Sequence, residues 1–106
     1  MNKLFLLFTI VTLFNIQQKD FKIDIKTKEV ASSLVYSIES NQKSDFQLKV
    51  INEYADSEVA KEITHKNVIG KKYFKMDLSS LPKGEYNILI TNINSKSFIQ
   101  KKIHKK

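Results

Sequence analysis

The run Phe74-Lys75-Met76-Asp77-Leu78-Ser79-Ser80-Leu81-Pro82-Lys83-Gly84-Glu85-Tyr86-Asn87-Ile88-Leu89-Ile90 holds two alternating patterns with a corner between them. Apolar residues at every second position mark a strand with one face toward a core, because successive side chains leave opposite faces of an extended chain. Phe74, Met76 and Leu78 form the first such set, and Tyr86, Ile88 and Ile90 form the second. Between them Pro82 presets φ for the second position of a turn, and Gly84 can take a positive φ afterwards. Pro82 is the only proline and Gly84 one of only two glycines, so this corner is the most strongly specified turn in the chain. The alternation puts Tyr86 on the buried face, where its hydroxyl calls for a backbone partner at the corner.

Outward from the corner the same rhythm recurs. Phe21, Ile23 and Ile25 alternate with Lys22, Asp24 and Lys26, while Leu34, Tyr36 and Ile38 repeat the pattern. Phe46, Leu48 and Val50 alternate with Gln47 and Lys49 in a strand that ends near Tyr54. Ser40 to Asp45 reads as a polar turn, Ala55-Asp56-Ser57 as another, and Asn67 to Gly70 as a loop. Glu58 to Thr64 fits both periods, since Val59 and Ile63 stand four apart with Lys61 between them, and it is read as a strand. Asn92 to Lys96 makes a hairpin turn before a last strand, Phe98 to Ile103. About seven strands at even spacing, with no long helix, predict an all-β fold: an immunoglobulin-like (fibronectin III-like) antiparallel β-sandwich over residues 19–106.

Ahead of it, Met1-Asn2-Lys3 and the apolar run Leu4 to Phe14 have the form of a secretory signal peptide over residues 1–18. The run is about half the length a membrane-spanning helix requires, so no transmembrane span is expected. A small-x-small cleavage pattern is missing, and Asn15-Ile16-Gln17-Gln18 stands in its place. Cleavage near Gln17 or Gln18 and an uncleaved leader acting as a tether both remain open, and a buried strand or anchor helix is the alternative reading of the run. The expected location is secreted: periplasm, cell surface or extracellular space.

The formal charge is +7, and every basic residue is lysine, 18 in all. Removing Lys3 with the leader leaves 7 − 1 = +6 on the domain. Such an excess favours anionic partners, among them an anionic glycan. The lack of arginine argues against sequence-specific nucleic acid, since bidentate base reading depends on the guanidinium fork. No cysteine is present, which excludes disulfides, thiolate nucleophiles, cysteine-ligated metal and the lipidated cysteine of a lipoprotein.

No catalytic, cofactor or metal constellation is apparent. His65 and His104 stand far apart and lack metal-ligand spacing, and both are expected to be solvated. Asp20, Asp24, Asp77 and Glu85 alternate on strands and read as solvent-facing, while Asp77 with Ser79 and Ser80 reads as a cap. Tyr36, Tyr54, Tyr73 and Phe74 read either as an aromatic stripe for sugars or as strand formers. The densest charge cluster is Lys101, Lys102, Lys105 and Lys106, a candidate contact for an anionic partner or for export machinery.

The stretch Met76 to Ile90, followed by Phe98-Ile99-Gln100-Lys101-Lys102-Ile103, resembles the C-terminal sorting domain of the type IX secretion system of Bacteroidetes. That family shows an apolar-Asp-Leu-Ser-x-Leu-Pro-x-Gly-x-Tyr corner and a final Lys-Lys-apolar strand. The family's early Asn-Pro is absent here, and so is a cargo domain. The chain also resembles small secreted immunoglobulin-like domains of unknown function in the same bacteria, whose last third carries a similar corner. Two functions are therefore expected as alternatives: a non-enzymatic module with a binding or structural role at the cell envelope, engaging an envelope protein or anionic glycan, or a cargo-less sorting domain read by the export machinery. No cofactor is expected, since no cofactor-binding constellation is present, and the oligomeric state is left open.

Overall fold

The computed structural model describes residues 20–54 and 58–106. Six strands follow in order: β1 (Phe21–Ile25), β2 (Glu29–Val30), β3 (Ser33–Asn52), β4 (Val59–Asp77), β5 (Gly84–Asn92) and β6 (Phe98–Lys105). They form one hydrogen-bonded sheet in the order β1-β3-β5-β6-β2, with β4 also paired to β3. All pairings are antiparallel except β2 with β6, where Glu29 lies opposite His104 and Val30 opposite Lys105 in parallel.

The course of β3 sets the shape. Its first half pairs with β1 from Tyr36 to Ser40, and its second half pairs with β5 from Phe46 to Asn52. β4 runs along the other side of both halves, from Ser33 opposite Asp77 to Ile51 opposite Val59. The sheet curls where the halves meet, so that residues of one half touch residues of the other. Phe21 of β1 meets Phe46 edge to face with ring centroids 4.9 Å apart. Tyr36 in the first half reaches His65, which lies opposite Phe46. The architecture is all-β, a curled open sheet compatible with a β-sandwich.

This arrangement departs from the sequence expectation at several points. Among the described residues six strands stand where about seven are expected: two expected pairs merge into β3 and β4, β2 is added, and Ser40 to Asp45 is not a turn but the bend inside the 20-residue β3. A two-residue hairpin turn needs positive φ, and this segment has none; its residues stay extended within the strand. The positive φ angles sit in the facing strand instead, at Asn67 (58°) and Gly70 (70°), and the register slips between Ser40 and Ser44 and again before Phe46. The expected loop at Asn67 to Gly70 is accordingly the bulged middle of the 19-residue β4. The Ser40 and Ser44 hydroxyls both donate to the Gln42 carbonyl, at 2.6 and 3.2 Å, satisfying the bend locally. The Asp45 carboxylate accepts the Asn67 N–H at 2.9 Å and ties the two bulged strands together. The two-residue β2 lacks an alternating pattern and was not expected. Its parallel pairing also breaks the all-antiparallel expectation. The expected leader, residues 1–18, and the turn at 55–57 lie outside the described residues.

Alternation is complete in β5, where Tyr86, Ile88, Ile90 and Asn92 are buried. They pack with Leu34, Tyr36 and Ile38 from the first half of β3, and with Phe46, Leu48 and Val50 from the second. Each large apolar side chain taken fully out of water contributes about 1.5–3 kcal/mol. Asn92 is the polar member of the row and is satisfied: its Nδ2 donates to Asp20 and its Oδ1 accepts the N–H groups of Asn94 and Ser95. Among the described residues no helix is long and apolar enough to cross a membrane.

Candidate functional site

At the corner, Tyr86 is 1 % exposed and its hydroxyl donates to the Pro82 carbonyl oxygen at 2.8 Å. Gly84 takes φ of 148°, a conformation in which a side chain is strained even though open space surrounds the site. The Asp77 carboxylate accepts the Ser79 N–H at 2.9 Å, and the hydrogen bonds to Ser79 hold its pKa below the usual value. The Leu81 N–H donates to the Leu78 carbonyl, closing the turn. Pro82, Gly84 and Tyr86 thus form a structural corner that aims β5 back along β3.

The carboxy-terminal lysines divide. Lys101 and Lys102 are exposed on opposite faces of β6, whereas Lys105 is 5 % exposed with its ammonium donating to the Lys106 carbonyl. Lys105 therefore does not share the exposure expected of the cluster. It lies on the face of Ile103, which packs into the core. Lys102 pairs with Glu53 at 3.1 Å, a bond that raises its pKa, and Lys106 pairs with Glu29 at 3.1 Å. Lys101 lines a groove of about 330 Å³ with Ile23, Asp24, Lys28 and Gln100.

A second basic surface lies on β4, less dense along the sequence than the carboxy-terminal cluster. Lys66, Lys71, Lys72 and Lys75 are all exposed on β4, and no carboxylate occurs between Ile63 and Met76. No ion pair joins these four to another described residue. Tyr73 stands among them, 59 % exposed, with the ammonium groups of Lys71 and Lys26 each 5.6 Å from its ring centroid. Across the outer face, Lys22, Glu39 and Lys71 share one row, and Asp24, Ser37 and Tyr73 share the next. On the inner face Lys66 and Lys72 line an open groove of about 340 Å³ with His65, Asn67 and Phe74. Lysines on both faces of one strand leave the edge with a positive excess despite Glu39 opposite Lys71 and Asp77 at its end, because spacings of about 7–13 Å are comparable with the Debye length. The available signal was the lysine pair framing Tyr73 at every second position.

The aromatic stripe is not assembled. Tyr36 is fully buried, Phe74 is half-buried on the inner face, and only Tyr54 and Tyr73 are exposed among the four. Of the two histidines, only His65 departs from the expected solvation. His104 is exposed but bonded through Nδ1 to Glu85 at 2.6 Å, directly across the β5–β6 ladder. His65 is half-buried: its ring stacks on Phe74 at 3.7 Å between centroids, and its Nε2 lies 2.5 Å from the Tyr36 hydroxyl. Burial lowers the His65 pKa and raises that of Tyr36, so at neutral pH a neutral imidazole and a neutral hydroxyl share this hydrogen bond.

A histidine whose folded pKa lies below its unfolded value binds its proton more readily in the unfolded chain. Its contribution is whole above about pH 6.5 and is lost as pH falls toward the folded pKa. Urea midpoints measured between pH 7.5 and 5 are expected to fall more steeply in the native sequence than in His65→Gln. Equal slopes would contradict the neutral Tyr36–His65 contact.

Among the described residues no group of three His, Cys, Asp or Glu side chains is placed to hold a metal ion. No family model, curated protein or solved structure matches the chain.

Proposed function

We propose that this chain is a non-enzymatic, secreted immunoglobulin-like module that binds an acidic surface at the cell envelope. The observation that carries the reading is the exposed edge of β4, where Lys66, Lys71, Lys72 and Lys75 stand in a segment without a carboxylate and Lys71 and Lys26 approach the exposed Tyr73 ring. On β6, by contrast, Lys102 pairs with Glu53 and Lys106 with Glu29. An acidic partner on β4 relieves lysine–lysine repulsion, and ring–ammonium contacts keep the tyrosine and two lysines extended and ready for contact. The immunoglobulin-like assignment is supported by β1 and β5 pairing with successive halves of β3, and by the tyrosine bonded back to its own corner.

The purified protein is expected to be retained on an immobilised acidic polysaccharide such as alginate at about 20 mM salt and released before about 0.5 M, where screening shortens the reach of each charge. Replacing Lys71 and Lys75 with glutamate is expected to weaken retention at least tenfold, while Lys101→Glu changes it little. Retention unaffected by the β4 replacements would remove the reading.

The exposure of Lys101 and Lys102 on the final strand, beyond the Pro82–Tyr86 corner, favours a second reading as a sorting domain recognised by export machinery. A periplasmic reporter fused ahead of residues 19–106 is then exported to the surface of a host with type IX secretion. A reporter that stays in the periplasm overturns this second reading.

A further inference from the structure

β4 is an edge strand: it pairs with β3 on one side, and no described strand pairs with it on the other. From Gly70 to Asp77 its register with Ser33 to Ser40 is unbroken, and past the positive φ of Gly70 the seven residues Lys71 to Asp77 run as one extended segment. The unpaired side of such a strand presents alternating N–H and C=O groups, a template for another extended chain. No proline or register shift blunts this segment; what marks it is charge. Lys71 and Lys75 flank Tyr73 on the outer face and Lys72 stands beside Phe74 on the inner one.

We infer that the Gly70–Asp77 edge accepts an extended acidic peptide segment of a partner protein by strand addition. This rests on the acidic-surface reading and names its partner class. Backbone bonds to the edge supply affinity without regard to sequence, and the side chains flanking it select the partner. An incoming strand with carboxylates at alternate positions sets them opposite lysines, and opposite-charge cross-strand pairs stabilise while like pairs oppose. Net charge, rather than the pairing rule, disfavours a second copy of this chain. Each edge carries Lys71, Lys72 and Lys75 against Asp77, a net 3 − 1 = +2, so two edges brought together repel.

The test uses the purified protein and three blocked octapeptides: (Glu-Thr)4, (Lys-Thr)4 and (Glu-Pro)4. The last carries the same charge as the first, but proline removes half of its donors. Binding is followed by fluorescence anisotropy, and backbone protection by amide hydrogen exchange. (Glu-Thr)4 is expected to bind at least tenfold more tightly than either alternative and to slow exchange within Gly70–Asp77 at least tenfold. In the doubly replaced Lys71→Glu, Lys75→Glu protein the preference is expected to reverse toward (Lys-Thr)4, with the far-ultraviolet spectrum unchanged. Equal affinity for the two acidic peptides overturns strand addition, as does an edge already fully protected in the free protein or a protein that self-associates through it. Retention on alginate with all peptides ignored overturns this inference and leaves the acidic-surface reading standing, whereas failure of both removes the two together.

Discussion

Truncating Tyr86 to alanine is expected to cost about 3–5 kcal/mol, the range for emptying a large aromatic site in a packed core. The ring is 1 % exposed, sits in the buried row with Ile88 and Ile90, and carries the hydroxyl that closes the corner on Pro82 at 2.8 Å. A domain of this size is stable by only about 4–13 kcal/mol, so the alanine variant sits near the limit of folding. Tyr86→Phe keeps the ring and loses the hydroxyl bond alone, for about 1 kcal/mol, because Pro82 is exposed and its carbonyl can turn to water. Urea unfolding of the two variants separates packing from the bond. Equal losses in both would show that the hydroxyl, rather than the buried ring, holds the corner.

The second large effect belongs to Phe46. It is fully buried, meets Phe21 edge to face across the curl, and begins the half of β3 that pairs with both β4 and β5. Phe46→Ala opens a cavity where the two halves of the sheet meet, with an expected loss of about 3–5 kcal/mol. Val59→Ala on the exposed end of β4, at 43 % exposure, is expected to stay within about 0.5 kcal/mol. A Phe46→Ala loss below about 1 kcal/mol would mean that the halves of the sheet do not press on each other.

The parts legible in the sequence are those where a local rule and the tertiary demand coincide. Tyr86, Ile88 and Ile90 alternate because β5 lies inside the sheet with one face wholly against the core, and Pro82 with Gly84 fixes the corner by backbone chemistry alone. The bend in β3 was hidden because polar residues at Ser40 to Asp45 serve a turn and a solvent-facing bulge equally well. The deciding residues, Asn67 and Gly70, lie more than twenty positions away. β2 is too short for any period and exists because Lys28 and Val30 accept N–H bonds from His104 and Lys106.

For the candidate site the difficulty was of another kind. Counting charge per window finds Lys101 to Lys106, yet the fold brings Glu53 and Glu29 to that cluster and turns Lys105 inward. Lys66 to Lys75 form a sparser run in sequence, but an edge position leaves them exposed on both faces. Nothing local to His65 shows that Tyr36, 29 residues earlier, reaches it when the sheet curls.

The central claim is that one long strand, β3, serves two facing halves of a single curled sheet. Isotope-edited nuclear Overhauser spectroscopy of the purified protein tests it directly. The account predicts cross-peaks between the Phe21 and Phe46 rings, 4.9 Å apart at their centroids, and between Tyr36 and His65. A full set of β3–β4 ladder contacts with neither of those cross-peaks would describe a flat ribbon and contradict it.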